Sequence, residues 1–223
     1  GWRAATAALS DLAASAAEPA GITVTIAVPD LDDAASLNDL ASGIGEAAQA
    51  AGCRILGCDL VRGPALMIDI TAFGYVTHAV NRRGATPGDG IWVTGVLGGS
   101  RSALTAWLDG RAPSPAARMA FARPSPRLRA GRWLAAAGAT AMMDLSDGIG
   151  GDVPHMAAAS RVGIEIELDH LPVHPTVIAE AQRLALSPKL FAAGCGEDYE
   201  LLVALPADWN AAGSCEPATG VGI

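Results

Sequence analysis

The chain has 223 residues, of which 51% are hydrophobic and 17% charged, with a formal net charge of −8. That length can bury a full core in one large domain or two smaller ones, and the balance of apolar to charged residues favours a folded globule over disorder. The acidic charge, with no basic stripe, argues against a nucleic-acid partner, and no run of about 18 strongly apolar residues offers a membrane span.

Trp2, Ala5, Leu9 and Leu12 recur at helical spacing, which predicts an amphipathic helix over residues 2–17. The β-branched run Ile22 to Val28, ended by Pro29, predicts a strand. Leu37, Leu40, Ile44, Ala47 and Ala51 form a second helical stripe that Gly52 ends. A short strand "RIL" then runs into "GCD". The run "ALMIDITAFGYV" predicts a long strand and "IWVTGV" another, with the turn-rich "NRRGATPGD" between them.

After Gly95 the texture changes. Residues 100–137 read as helices broken by Pro113, Pro115, Pro124 and Pro126. A short strand follows at 139–144, then a helix at 148–161. "GIEIELD" alternates with period two and predicts a strand, as does "DYELLVAL", which is apolar on both faces and therefore buried. The expectation is a mixed α/β fold in two parts, residues 1–97 strand-rich and 98–223 helix-rich, with no internal repeat. The abundant alanine suits close helix packing.

Four acidic clusters end apolar segments beside small residues: "LSDLAA" (Asp11), "LGCDLVRGP" (Asp59), "MDLSDGIGGD" (Asp144 and Asp147) and "GCGEDYELL" (Glu197 and Asp198). Acids beside buried segments are costly unless paired or bound to metal, and few basic residues lie near them in sequence. Small neighbours allow close backbone approach, so the pattern suits magnesium shared with phosphates. Taken singly, each has a plainer explanation: Asp147 before Gly148 could cap a helix, and Asp11 could be a surface acid. Asp152 reads as an acid favoured by a helix dipole.

Other motifs are absent or weak. There is no GxxxxGK[ST], no GxGxxG after a strand and no GxSxG. "GVLGGS", Gly95 to Ser100, could hold an anion at a helix start. "RPSPRLRAGR", Arg123 to Arg132, is a solvated helix entry or else a phosphate contact. His78, His155, His170 and His174 show no ligand spacing. Cys53, Cys58, Cys195 and Cys215 match no zinc pattern and suggest no disulfide framework, so a reduced, cytoplasmic chain is expected, with Cys53 and Cys58 partly buried. No basic-then-apolar leader is visible.

The motifs "SDLAASAAEP", "GCDLVRGP", "RRGATPGDGIWVTGVLGGS", "MMDLSDGIGGD", "SRVGIEIELDHLP" and "GCGEDYELL" resemble, in order, those of the thiamine-monophosphate kinases. These belong to the superfamily typified by aminoimidazole ribonucleotide synthetase and selenophosphate synthetase. The resemblance implies ATP- and magnesium-dependent phosphorylation of thiamine monophosphate to thiamine diphosphate. By motif position it implies Asp11, Asp59, Asp144 and Asp147 as metal ligands. It implies Gly57, Cys58, Asp59, Arg82 and Ser146 at ATP, and Glu197 at the thiamine phosphate. It also implies a homodimer, in which the first halves share a barrel. Such a first half would expose apolar strands on its own.

The family also carries a Gly-Asp-Asp-Ala stretch upstream of the first helix and an aromatic residue beyond position 223. Here Cys58 and Cys195 stand where glycines are usual, Leu60 where threonine is and Gly99 where aspartate is.

The chemistry needs no side-chain base. A phosphate monoester has its second pKa near about 6 and is already ionised at neutral pH. The barrier is repulsion between two anions, which metal electrostatics and positioning lower. Two rivals remain open at this point: another ATP-using enzyme of the superfamily with a different acceptor, and a non-catalytic nucleotide-binding dimerisation module.

Overall fold

The computed structural model describes residues 1–29 and 34–209. Helix α1 (Trp2–Ala14) stops earlier than its stripe suggests, because Ala16 turns into the left-handed region at φ 59° and the Ala17 N–H returns to the Leu12 carbonyl. The chain then enters β1 (Glu18–Val28). Helix α2 (Ala34–Ala50) is the crossover that lets β2 (Arg54–Arg62) lie parallel to β1. Strand β3 (Met67–Tyr75) pairs antiparallel on the other side, giving the order β2-β1-β3.

The residues Gly57, Cys58 and Asp59 therefore sit within a strand, not in a turn after a short one. The irregularity is a register shift between Ile22 and Thr23 of β1, opposite Ile55 and Gly57.

Alternation in β1 decides which face is covered. Ile22, Val24, Ile26 and Val28 are buried with Leu9 of α1 and with Ile44 and Ala47 of α2; Ile68, Ile70 and Ala72 of β3 pack on the same cluster. The other face is open. Its rungs, read from the register, are Val61–Ala27–Met67, Asp59–Thr25–Asp69 and Gly57–Thr23–Thr71. Leu56, Met67 and Phe73 are 58%, 61% and 47% exposed, so the first half does expose apolar strands. Cys58 is exposed with the rest of β2, whereas Cys53 is buried; both are free thiols.

The second sheet has the order β4-β6-β5, all antiparallel, from β4 (Gly90–Val93), β5 (Ala141–Asp144) and β6 (Leu201–Leu205). Thus β4, upstream of the expected division at residue 97, hydrogen-bonds to β6 of the second half. Strand β6 is buried throughout, because each face enters a different core. Leu202 and Ala204 join Val93, Ile149, Met156 and Phe191. Leu201, Val203 and Leu205 join Ala13, Leu128, Leu134 and Met142.

Helices α3 (Gly99–Leu108), α4 (Pro115–Ala122) and α5 (Leu128–Ala136) carry the chain to β5. Helices α6 (Ile149–Ser160), α7 (Thr176–Arg183) and α8 (Pro188–Ala193) then lead to β6.

The expected strand at "GIEIELD" does not form: residues 162–167 pair with no neighbour and end in a 3₁₀ turn, Leu168–His170. Val162, Ile164 and Ile166 nevertheless pack on the core between exposed Gly163, Glu165 and Glu167. Period-two alternation encoded a half-buried extended segment, and it carries no information about a ladder partner.

Helix α1 joins the two halves. Leu9 lies in the first core and Ala13 in the second. Gly131 of α5 packs so closely that a Cβ would overlap the Ala13 carbonyl oxygen. Polar ties add direction: Trp2 Nε1 donates to the Pro124 carbonyl at 2.7 Å, Thr6 Oγ1 to the same oxygen at 3.2 Å, and Arg3 Nη1 to the Phe121 carbonyl at 2.6 Å. Arg123 pairs with Glu46 at 2.7 Å and stacks over Trp2. Much of the basic "RPSPRLRAGR" segment is thereby structural.

Candidate active site

The site forms where β5 ends. Strand β5 delivers Asp144, and Leu145 to Gly148 turn the chain into α6. This turn is bound backbone to backbone to the 195–200 segment. The Leu145 N–H donates to the Glu200 carbonyl at 2.7 Å, the Tyr199 N–H to Leu145 at 3.0 Å, and the Glu197 N–H to Ser146 at 2.8 Å. Such contact needs bare glycines. A Cβ on Gly148 would overlap the Cys195 carbonyl oxygen, and one on Gly196 would overlap the Ser146 carbonyl oxygen. The "LSDG" and "GCGED" motifs are thus two sides of one contact.

The acids gather around this turn. Asp144 is half-buried, and its carboxyl is pushed up to about 6 by burial, with Asp11 and Asp152 adding repulsion. Burial also raises Asp11, which reaches the site from α1. Asp152 is 2% exposed and accepts the Asp147 N–H at 3.0 Å, fastening the turn from within α6. Burial raises its carboxyl, the Asp147 and Gly148 backbone groups hold it down, and Asp147 raises it again.

Asp147 itself is exposed at the rim, above the close-packed Gly151. Ser10, fully buried beside Asp11, lies near enough to Asp144 to favour its carboxylate, yet its Oγ has no partner in hydrogen-bond geometry. Of the four predicted metal ligands, Asp11 and Asp144 are within electrostatic reach of each other, and Asp147 stands on the same turn, next to Asp152. Sequence reasoning missed Ser10 and gave Asp152 only a dipole role. A usable signal existed for Ser10: the hydroxyl directly precedes the acid in "LSDLAA".

Asp59 is placed elsewhere. It stands on β2 in the rung with Thr25 and Asp69, on the face turned away from α1. Gly57 and Cys58 lie beside it on the same exposed strand. Arg82 is exposed in the linker between the sheets, where its carbonyl receives Ser160 Oγ at 3.4 Å. Ser146 is half-buried in the turn. Among the described residues, no group of three or more His, Cys, Asp or Glu closes around a metal position.

The "GCGEDYELL" acids have three distinct fates. Glu197 is half-exposed, paired with Arg3, and accepts the Tyr199 hydroxyl at 2.8 Å. Asp198 accepts the Gly98 N–H at 2.8 Å and the Ser100 N–H at 3.4 Å, so the glycine turn that opens α3 already holds the protein's own carboxylate. Burial outweighs those donors and pushes Asp198 up to about 7. Glu200 is buried, gripped by Arg127 and by Thr94 Oγ1 at 2.6 Å. Gly99, where the family has aspartate, packs so tightly that a Cβ would lie 2.8 Å from the Ala120 Cβ and 3.0 Å from the His174 ring.

Among the described residues, no helix is long and apolar enough to cross a membrane. Residues 1–76 match the AIR synthase related protein N-terminal domain, and residues 86–216 the corresponding C-terminal domain. A thiamine-monophosphate kinase of Methanopyrus kandleri is 34% identical over 93% of this chain and 67% of its own length.

The crystal structure of thiamine-monophosphate kinase from Stenotrophomonas maltophilia K279a superposes with a TM-score of 0.85 at 33% identity, covering 93% of this chain and 67% of that one. A structure described as AaThiL complexed with AMPPCP and TMP gives 0.88 at 28% identity, covering 94% and 69%. The chain spans about two thirds of the length of the curated relatives it matches. With its two-part fold and successive acidic motifs, the chain belongs to the thiamine-monophosphate kinase family of AIR-synthase-related proteins.

Proposed function

We propose that this protein transfers the terminal phosphoryl group of ATP to the phosphate of thiamine monophosphate, giving thiamine diphosphate and ADP, with magnesium. The observation that carries the reading is the meeting of Asp11, Asp144 and Asp152 around the buried Ser10 at one end of β5, with Asp147 at the rim of the same turn. The related complex with AMPPCP and TMP supports the substrates.

The residues suit magnesium. Their donors are hard oxygens, and the set is open rather than closed. Magnesium binds through one or two carboxylates plus waters and substrate phosphates, so it needs no complete protein cage. When bound, it would neutralise the polyphosphate against which the acceptor must approach. Asp11 and Asp144 would hold it from α1 and β5, and Asp147 from the rim of the turn. Asp152 keeps that turn in place through the Asp147 N–H.

An acceptor phosphate oxygen attacks the terminal phosphorus, the bond to the bridging oxygen breaks, and ADP leaves with the electron pair. No side chain takes a proton, since the acceptor is already ionised. Gly57, Cys58, Asp59, Arg82 and Ser146 are the proposed ATP-side residues, and Glu197 the acceptor-side residue, by motif position.

The test is a coupled assay of ADP release with ATP, magnesium and thiamine monophosphate. Turnover should require all three. Full activity in excess EDTA would remove the metal from the mechanism, and turnover only with a different acceptor would move the chain to another activity of the superfamily.

The open face of the first sheet supports a homodimer in which two such faces close on each other. Leu56, Met67 and Phe73 are apolar and exposed there, and β2 and β3 are both edge strands. Phe73→Asp should convert a dimer to a folded monomer in sedimentation velocity. A wild-type chain that sediments as a monomer would discard the proposal.

A further inference from the structure

Arg3 borders the acid patch beside Glu197 and Tyr199. Its guanidinium lies 3.9 Å from the Phe121 ring centroid and 5.5 Å from that of Tyr199. One edge donates to the Phe121 carbonyl at 2.6 Å, and Nη2 is turned toward the Glu197 carboxylate. Arg3 is 21% exposed and Glu197 50%.

Three features set this pair apart from an ordinary surface ion pair, in which two long side chains must be ordered for little return. The cation is already ordered by two rings and a carbonyl, so its fork is pre-oriented. Glu197 and Tyr199 both hold left-handed backbone conformations, at φ 68° and 54°, and the Tyr199 hydroxyl steadies the same carboxylate. The pair also adjoins the acid patch: Tyr199 lies within electrostatic reach of Arg3, Glu197 and Asp144, and Asp198 within reach of Arg3. Of the cations near that patch, Arg127 is taken by Glu200, His155 lies on the Asp152 side and Arg101 on the Cys195 side, so Arg3 is the one beside Glu197 and Tyr199. A dianionic acceptor approaching such a surface needs a cation of its own.

We propose that Arg3 anchors the phosphate of the acceptor, and that the Glu197 carboxylate occupies the anion position until a phosphate monoester displaces it. The proposal rests on the phosphotransferase reading above. The planar guanidinium suits two parallel hydrogen bonds to phosphate as well as to carboxylate. A phosphate monoester at neutral pH carries nearly two charges against one, so the exchange favours the phosphate. Displaced Glu197 keeps its Tyr199 hydrogen bond and becomes available to the positively charged ring of the same acceptor.

The test uses the full chain and reads binding apart from turnover. Calorimetric titration with inorganic phosphate should give a dissociation constant raised roughly ten- to a hundredfold by Arg3→Met. Glu197→Gln should instead lower it, because the competing carboxylate is gone. In the coupled assay Arg3→Met should raise KM for thiamine monophosphate and leave KM for ATP unchanged. Arg3→Lys, which keeps the charge but not the fork, should recover part of the loss and covers the case in which Arg3→Met does not fold.

Unchanged phosphate affinity in folded Arg3→Met, or in Arg3→Lys where Arg3→Met does not fold, or weaker phosphate binding in Glu197→Gln, would overturn the anchor and leave only a structural ion pair. A wild type that binds phosphate through Arg3 but never phosphorylates thiamine monophosphate would instead sink the functional reading.

Discussion

Gly148→Ala is expected to cost this protein most of its stability. At φ 84° and ψ 174° the residue occupies a region essentially closed to side chains, and forcing one into it costs about 1–3 kcal/mol. The new Cβ would also overlap the Cys195 carbonyl oxygen, which is backbone and cannot swing aside. The turn would have to separate from the 195–200 segment, breaking its hydrogen bonds to Glu197, Tyr199 and Glu200. Together these effects should exceed about 4 kcal/mol and lower Tm by roughly 10 °C or more in thermal denaturation. Gly163→Ala, with open space around the position, serves as the control and should shift Tm by no more than about 2 °C. Equal melting of the two variants would show that the turn does not depend on the close approach.

The glycine contact also shows what could be read in the chain and what could not. Helical stripes placed α1 and α2, and β-branched runs placed β1 and β3, because burial on one face leaves a period in the sequence. The same period misled at 162–167, where burial alternates without a ladder. It also gave no hint that β4 leaves the first sheet for β6, since pairing partners are chosen by topology over more than a hundred residues.

For the site, sequence pattern could mark acids beside small residues but could not say which acids meet. Asp144 and Asp147 stay together because one turn carries both, and Asp11 joins them only because α1 packs on β5 and α5. Asp59, alike in pattern, lies across the sheet. Asp152 and Asp198 turned inward to hold backbone N–H groups, a fate that composition cannot distinguish from metal binding. Arg3 carried no signal, because an arginine at the start of an amphipathic helix resembles a solvated one.

Asp144→Asn should have opposite effects on stability and on activity. The Asp144 carboxyl sits at about 6, above its ordinary value of 3.8, because burial, Asp11 and Asp152 all disfavour the charge. Its folded pKa lies above its unfolded one, so its stabilising contribution is complete below about pH 4 and is lost as pH rises through about 6. At pH 7.5 and without metal, the ionised carboxylate is therefore a strain on the fold. Asparagine keeps the shape and removes the charge, so the variant should melt roughly 2–5 °C above wild type at pH 7.5, and the gap should close by pH 4. Turnover should fall at least about a hundredfold, as when a group that stabilises transition-state charge is removed. Magnesium with ATP should raise the wild-type Tm and move that of the variant much less. A variant that melts below wild type in metal-free buffer would show that Asp144 is held by favourable contacts and not poised for a cation; one that keeps full turnover would remove it from the metal site. On the proposed function this acid trades stability for a metal-binding role, a trade common at sites that must receive a charge.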